Sequence, residues 1–269
     1  GVQAIAQDVD SFLCGLLVGF PYKRVQTAGT VKIDDIAGLS ADMSVRKVPL
    51  TDRYLVLDPL SAAKYKVLGP VLDAGQRGNQ NAINDAQLGR LMGFDTYEDQ
   101  NIKTEGTMVG TLAGCSTPAT VALGAESMTV TDTDATPGLL PAGTTFTIAG
   151  DTQIYVLTDD ATQAATGCLI KFAPPLQVAI TSAKAISAGT VASSGKTESA
   201  AFHKNAIDLV TCPLAKPLGT PSEVISDNGM SIRVVYTFDQ TTWSDIIALD
   251  VLYGGRVMDV ELGERLIGQ

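Results

Sequence analysis

Residues Gly229–Met258, GMSIRVVYTFDQTTWSDIIALDVLYGGRVM, hold the chain's one tryptophan, Trp243. The segment opens on alternation: Ile232, Val234 and Tyr236 fall on one side, Arg233, Val235 and Thr237 on the other. That period of two is a strand. Asp239-Gln-Thr-Thr marks a turn. Trp243, Ile246, Ile247 and Val251 then follow at spacings of three and four, which predicts a helical stripe with Trp243 in the core. Gly254-Gly255 breaks the pattern before a last apolar run, Val257 to Val260. Nothing here has catalytic spacing, so the segment reads as architecture. Arg233 is its one strand charge, either solvent-facing or an intersubunit ion-pair partner.

Working outward, the 269 residues suffice for one or two domains. Hydrophobic residues make up 45% and charged residues only 18%, which suits a packed globule or a subunit partly covered by neighbours. The net charge of -10, with 19 basic against 29 acidic residues and no basic run, argues against a dedicated nucleic-acid binder and against anionic membranes. Cys14, Cys115, Cys168 and Cys212 form no CxxC pair, and there is one histidine, so no zinc site is expected. Such scattered cysteines read as buried, reduced thiols. The apolar run Ser11–Phe20 is half the length of a membrane span, and Asp8 and Asp10 stand where a signal peptide carries positive charge; neither is expected.

Val2, Ile5, Val9, Phe12 and Leu16 form an amphipathic helical stripe, either core or a face against a neighbouring subunit. A second helix is expected from about Val31 to Val45, capped by Thr30. Arg53–Asp58 reads as a strand central to a sheet, and Asp58-Pro59 as an N-cap with proline at the first helical position, starting a helix from Leu60 to Leu68. Gly75–Ala86 reads as a polar loop, and Leu91–Tyr97 as extended. From about Gly106 to Ser182 the composition shifts to Thr, Ala and Gly. Alternating pairs recur there: Met128/Val130, Phe146/Ile148, Tyr155/Leu157, Ile170/Phe172 and Leu176/Val178/Ile180, with a hairpin turn at Gly150-Asp151. That is a small β-barrel or sandwich inserted into a mixed chain. Ser187–Glu198 reads as a loop, Ala201–Leu209 as ordered, and Cys212–Ser226, with three prolines, as irregular.

Candidate chemistry is thin. Gly195-Lys196-Thr197 looks like the end of a phosphate-binding loop, but Thr190 stands where that loop needs glycine, and Gly189 is one residue out. His203 is the sole histidine for any triad, and no GxSxG motif accompanies it; a strand-edge imidazole bonded to backbone is the simpler reading. Asp132-Thr-Asp134-Ala-Thr136-Pro-Gly138 begins like a calcium loop but has its glycine at the seventh place and Gly143 at the twelfth. The carboxylate pairs Asp34/Asp35, Asp159/Asp160 and Glu261/Glu264 read as solvated surface rather than acid–base machinery. No catalytic, cofactor-binding or metal-binding residue is expected, nor any cofactor.

The order of segments carries more. Arg53-Tyr-Leu-Val-Leu-Asp-Pro59, Leu91-Met-Gly-Phe-Asp-Thr-Tyr97, Ala201-Phe-His-Lys-Asn-Ala-Ile-Asp-Leu209, Gly229-Met-Ser-Ile-Arg-Val-Val-Tyr236, Asp250-Val-Leu-Tyr-Gly-Gly255 and Glu264-Arg-Leu266 resemble, in the same order, a tailed-phage major capsid protein of the Hong Kong 97 fold. The branch most similar is that of the coat proteins of short-tailed Salmonella phages, and Ala142–Gly150 (AGTTFTIAG) looks like a strand of its insertion domain. The resemblance implies an α+β fold with axial and peripheral domains and an inserted small β-barrel or sandwich. Residues 1–28 would be the end of the spine helix in the peripheral domain, and 29–107 the first part of the axial domain. Residues 108–183 would be the insertion, 184–221 the second axial part, 222–249 peripheral strands and 250–269 a return to the axial domain. The family's N-terminal arm and extended loop are missing before residue 1, which reads as a processed or partial chain.

The implied function is self-assembly into the pentamers and hexamers of an icosahedral shell around viral DNA, with no enzymatic activity. The implied partners are other copies of the chain and the portal and scaffolding proteins, without sequence-specific nucleic-acid binding and without a membrane. The implied location is the virion capsid, after assembly in the host cytoplasm. The alternatives are an enzyme using His203 or a pocket near Trp243, and a binding or adhesion protein acting through the β insertion.

Overall fold

In the computed structural model the described residues are 1–268, apart from 27–30, 73–87, 103, 105–109, 111, 113, 133–137, 165, 189–196, 228 and 242. The chain is α+β and mostly sheet, and it divides into two units. One comprises Gly1–Leu16 and Ile207–Met258, the other Leu17–Ala206 and Asp259–Gln269.

In the first unit the expected N-terminal helix is present as Val2–Leu16. It lies on a two-stranded antiparallel ribbon, Ile207–Cys212 with Leu252–Val257. Phe12 meets Tyr253 edge to face at 5.3 Å, and the Tyr253 hydroxyl donates to Asp8 at 2.6 Å. Gly255 permits this approach: a Cβ there would stand 3.2 Å from both Leu16 and Phe12 and 3.0 Å from the Asp208 carbonyl. A 3-10 turn at Leu17–Gly19 continues the helix. Val2–Gly19 is thereby long and apolar enough, by length and composition alone, to cross a membrane, a length the run Ser11–Phe20 understates.

The rest of that unit is a three-stranded antiparallel sheet, Ser222–Asp227, Met230–Asp239 and Ser244–Asp250. The strand expected from Gly229 is there. The helical stripe after it is not: Ser244–Asp250 is a strand paired back onto Met230–Asp239, and Trp243 sits in the turn with φ +52° and 82% of its surface exposed. A hairpin partner pairs the inner-side backbone groups of this short apolar run along its whole length, whereas an isolated two-turn helix would leave most of its end groups open. The irregular reading of Cys212–Ser226 also fails at its end, because Ser222–Asp227 pairs with Met230–Val235.

The second unit is built on a six-stranded sheet in the order Lys23–Val25, Gly263–Ile267, Glu198–His203, Arg53–Leu57, Phe94–Glu98, Arg90–Leu91. Arg53–Leu57 is internal as expected, antiparallel to Glu198–His203 and parallel to Phe94–Glu98. Extended structure at Leu91–Tyr97 is a tight hairpin, with Met92 and Gly93 both at positive φ. Ile36, Leu39 and Met43 of the helix Ile33–Val45 pack with Leu55, Leu57, Tyr65, Phe94, Ala201 and Leu266. That helix starts later than expected. Its N-cap is Lys32, whose backbone N–H donates to the Asp35 side chain, and Thr30 lies outside the described residues. Asp58 caps Pro59–Lys66 as expected, its carboxylate accepting from the Ser61 N–H.

A second six-stranded sheet occupies Cys115–Ala188, ordered Ile186–Ala188, Thr145–Ile148, Ile154–Leu157, Cys168–Ala173, Ser127–Asp132, Cys115–Ser116. Gly138–Leu140 pairs with Ala161–Gln163 beside it. This region has its own core around Phe146, Tyr155 and Phe172, whose rings lie 5.5–5.7 Å apart. The hairpin turn at Gly150-Asp151 is as expected, with Gly150 at φ +88°. Leu176/Val178/Ile180 is not a strand: Leu176 and Ile180 are buried by an irregular segment, Val178 is exposed, and one bridge joins Val121 to Ile180. Ile186–Ala188 is a strand where a loop is expected. The loop expected at Gly75–Ala86 lies outside the described residues.

Candidate functional site

His203 closes the strand Glu198–His203 and is buried, its Nδ1 accepting from the Asn205 N–H at 3.3 Å. That is the backbone-bonded, strand-end imidazole expected of a structural residue. Gly195 and Lys196 lie outside the described residues, as do residues 133–137 of the calcium-like stretch. Of the cysteines, Cys14, Cys115 and Cys168 are buried as expected; Cys212 is exposed.

The carboxylate pairs divide. Asp159 and Asp160 are exposed, and Asp159 pairs with Lys171 at 2.9 Å. Asp35 and Glu264 are buried, against the solvated reading. Asp35 faces inward because its carboxylate closes the helix start, where backbone N–H groups need acceptors. Glu264 lies on a strand between two covered sheet faces, and burial there is tolerable because Arg46 reaches it at 2.9 Å.

Glu264 belongs to a connected polar group. Arg46 also donates to the Glu261 and Gly263 carbonyls and lies 4.1 Å over the Tyr22 ring. Tyr22 donates to Glu261 at 2.6 Å, and Arg24 pairs with Asp42 at 2.6 Å. Burial, then the nearby Glu261 charge, push the Tyr22 phenol up to about 12. Burial raises Glu264 to about 7 against the pull of Arg46, with Asp42 adding to the rise. A cleft of about 430 Å³ runs past this group, with Thr145, Phe146, Thr147 and Ile154 of the second sheet along its other wall.

A second ionic group fastens the two sheets. Arg265 and Glu198, both fully buried, pair at 2.8 Å on adjacent strands. Arg265 also donates to the Gly143 carbonyl at 2.7 Å, in the loop entering the second sheet. Gly143, at φ +90°, admits the contact: a Cβ would come 2.6 Å from the guanidinium. Burial pushes Glu198 up, with Arg265 opposing. Arg53 is likewise internal, donating to the carbonyls of Pro49 and Val48, each at 2.7 Å, behind the helix Ile33–Val45. These arginines and carboxylates brace backbone; among the described residues none is arranged as a nucleophile with its base. Sequence reasoning missed them because Arg24, Arg46, Arg53 and Arg265 look like ordinary surface charges when read in isolation.

The first unit shows a different surface. Ile225, Tyr236, Phe238, Trp243, Ile246 and Ile247 are all exposed on or beside the three-stranded sheet. Phe238 and Trp243 meet edge to face at 6.1 Å near the hairpin end. Arg233 resolves otherwise than expected, since it forms a pair within the chain. Its Nε and Nη2 reach Asp250 at 3.1 and 2.6 Å, and Nη1 donates to the Ala215 carbonyl. Cross-strand register puts Asp250 directly opposite Arg233.

No protein-family model and no curated relative matches the chain. Among solved structures, a chain of Mycobacterium phage Che8 is similar over 99% of this chain and 60% of its own length, at TM-score 0.50 and 16% identity. This chain shares a phage protein's fold. Two further similarities are to the capsid of cyanophage P-SCSP1u (TM-score 0.44, 12% identity, 98% of this chain and 62% of that one) and to the mature capsid of bacteriophage PhiM1 (0.43, 12%, 98% and 61%). The chain spans about three fifths of the length of each of these phage chains.

Proposed function

We propose that this chain is a major capsid subunit of a tailed bacteriophage, located in the virion capsid and built on the Hong Kong 97 fold. The observation that carries the reading is the likeness of fold to the Che8 chain, which extends over 99% of the residues. In this reading the unit of Gly1–Leu16 and Ile207–Met258 is the peripheral domain. The unit of Leu17–Ala206 and Asp259–Gln269 is the axial domain, and the sheet of Cys115–Ala188 is its insertion. Copies associate into pentamers and hexamers that close an icosahedral shell around DNA in the host cytoplasm, with portal and scaffolding proteins as partners. The role is structural rather than enzymatic, with no cofactor, metal, membrane or sequence-specific nucleic-acid contact.

Tyr236, its cross-strand partner Ile247 and Phe238 expose apolar side chains on one face of the first unit's sheet, which supports a subunit over a solitary protein, since exposed apolar patches mark surfaces that associate. The ionic groups support it too, being spent on bracing backbone. Burial of His203 with its Nδ1 committed to Asn205 disfavours an enzyme built on that residue. Expression of the gene product, followed by size-exclusion chromatography and negative-stain imaging, tests the reading. Shells, rings or capsomers are expected. A species that stays monomeric at high concentration, with the scaffolding protein of the same phage supplied, would refute it.

A further inference from the structure

The three-stranded sheet of the first unit has two unlike faces. Residues paired across strands point the same way, and successive residues alternate. One face therefore carries Ile232, Val234, Tyr236 and Phe238 on the central strand, with Ile225 and Ile247 beside them on the edge strands. Of these, Ile225, Tyr236, Phe238 and Ile247 are exposed. Among the described residues every charge on this face is acidic, and each lies on an edge strand. Glu223 stands opposite Val234 and Asp227 opposite Met230 on one side; Asp245 stands opposite Phe238 on the other; all three are exposed. The result is an apolar furrow along the central strand between two acidic margins. Gly1 stands against Leu249 at one end, where a Cβ would come 2.7 Å from the leucine, and the end at Tyr236, Phe238 and Ile247 is open. The opposite face holds the base of the sheet, Arg233, already engaged by Asp250 and the Ala215 carbonyl.

We propose that this face docks a cationic amphipathic helix of another protein, laid along the central strand. Its apolar stripe covers Tyr236, Phe238 and Ile247, and its lysines or arginines lie over Glu223, Asp227 and Asp245. A helix is a regular cover for an apolar sheet face. It is about 10 Å wide and strands are about 4.8 Å apart, so a stripe seated on the central strand holds its flanks above both edge strands. Charge decides against the other occupants. A second copy of the same face would bring acidic margins against acidic margins with no cation between them. The opposite face of a second copy offers only an arginine that Asp250 already holds. Anionic lipid and nucleic acid are repelled by the same three carboxylates. The inference rests on this unit alone and stands apart from the capsid reading.

Trp243 reports on the face, since it is the chain's one tryptophan and its ring meets Phe238. The whole chain is titrated with a synthetic helix of leucine and lysine, about 15 residues long, with its leucines on one side. Trp243 emission should shift to the blue and become shielded from acrylamide, saturably, and the affinity should fall as salt is raised. Ile247→Lys sets a cation in the furrow and should weaken binding at least about tenfold. Asp245→Lys, at an exposed strand end, should weaken it about threefold and flatten its salt dependence. Thr237→Lys, exposed on the opposite face, should leave it unchanged. An absent response, or an affinity that survives both Ile247→Lys and Asp245→Lys, overturns the proposal. So does equal binding of a leucine–glutamate helix of the same pattern. Trp243 already shielded before peptide is added, by a second copy or by more of the same chain, overturns it as well.

Discussion

Replacing Arg265 by methionine should be among the most damaging single changes in the chain. The guanidinium is fully buried, bonded to Glu198 at 2.8 Å and to the Gly143 carbonyl at 2.7 Å. Methionine fills most of the volume but strands the Glu198 charge, and breaking a buried pair from one side costs about 3–5 kcal/mol. The pair itself is weak evidence of net stabilisation, because desolvating two charges offsets their attraction. Arg265 Nε, moreover, is buried without a hydrogen-bond partner. The double variant Arg265→Met with Glu198→Leu should therefore recover to within about 1 kcal/mol of the parent, or exceed it.

The pH dependence follows the same logic. Burial holds Glu198 above its ordinary value in the parent, and removing Arg265 takes away the opposing pull. A raised carboxyl pKa gives stability that is present at low pH and lost as pH rises through the folded value. The deficit of Arg265→Met should accordingly shrink on acidification. Urea unfolding followed by circular dichroism measures all three chains. The signal of Trp243 does not serve, because that residue lies in the other unit. A loss below about 1 kcal/mol in the single variant, or a double variant as unstable as the single, would show that the ion pair does not govern this seam.

Asp58→Ala should cost about 2–4 kcal/mol, since it removes both the cap on Ser61 and the bond from the buried Ser199 hydroxyl; thermal unfolding measures it. Burial raises this carboxyl, but the bonds from Ser61, Thr197 and Ser199 outweigh that and hold it below its ordinary 3.8, so its contribution is present at neutrality and lost as pH falls below about 4. Trp243→Gly should cost under about 1 kcal/mol, because the side chain is mostly exposed, the ring contact it loses is that with Phe238, and a left-handed turn position suits glycine. Parent Trp243 fluorescence should match that of free tryptophan in water and be fully open to acrylamide; a blue-shifted, shielded signal from an isolated monomer would contradict the exposed hairpin.

Local chemistry was legible wherever it acts within a few residues. Asp58-Pro59 announces a capped helix because the acceptor, the fixed φ and the open N–H groups are adjacent in sequence. The stripe of Val2–Leu16 and the alternation of Arg53–Leu57 and Met230–Tyr236 likewise declare helix and strand by period alone. The segment Trp243–Val251 misleads for the same reason: its three-and-four spacing is compatible with a helix, and only pairing with Met230–Asp239 makes it a strand. Exposure of Trp243 is decided by that hairpin and not by the residue's hydrophobicity. Composition separated the threonine-, alanine- and glycine-rich region, but its strand order, which is not the order in sequence, needed the folded sheet. The ionic groups lay furthest out of reach. Arg265 and Gly143 are 122 residues apart, and Arg46 and Glu264 are 218 apart. A charge is read from sequence as solvated by default, and only tertiary packing, by withdrawing water and supplying a distant partner, turns these residues into the braces of the fold.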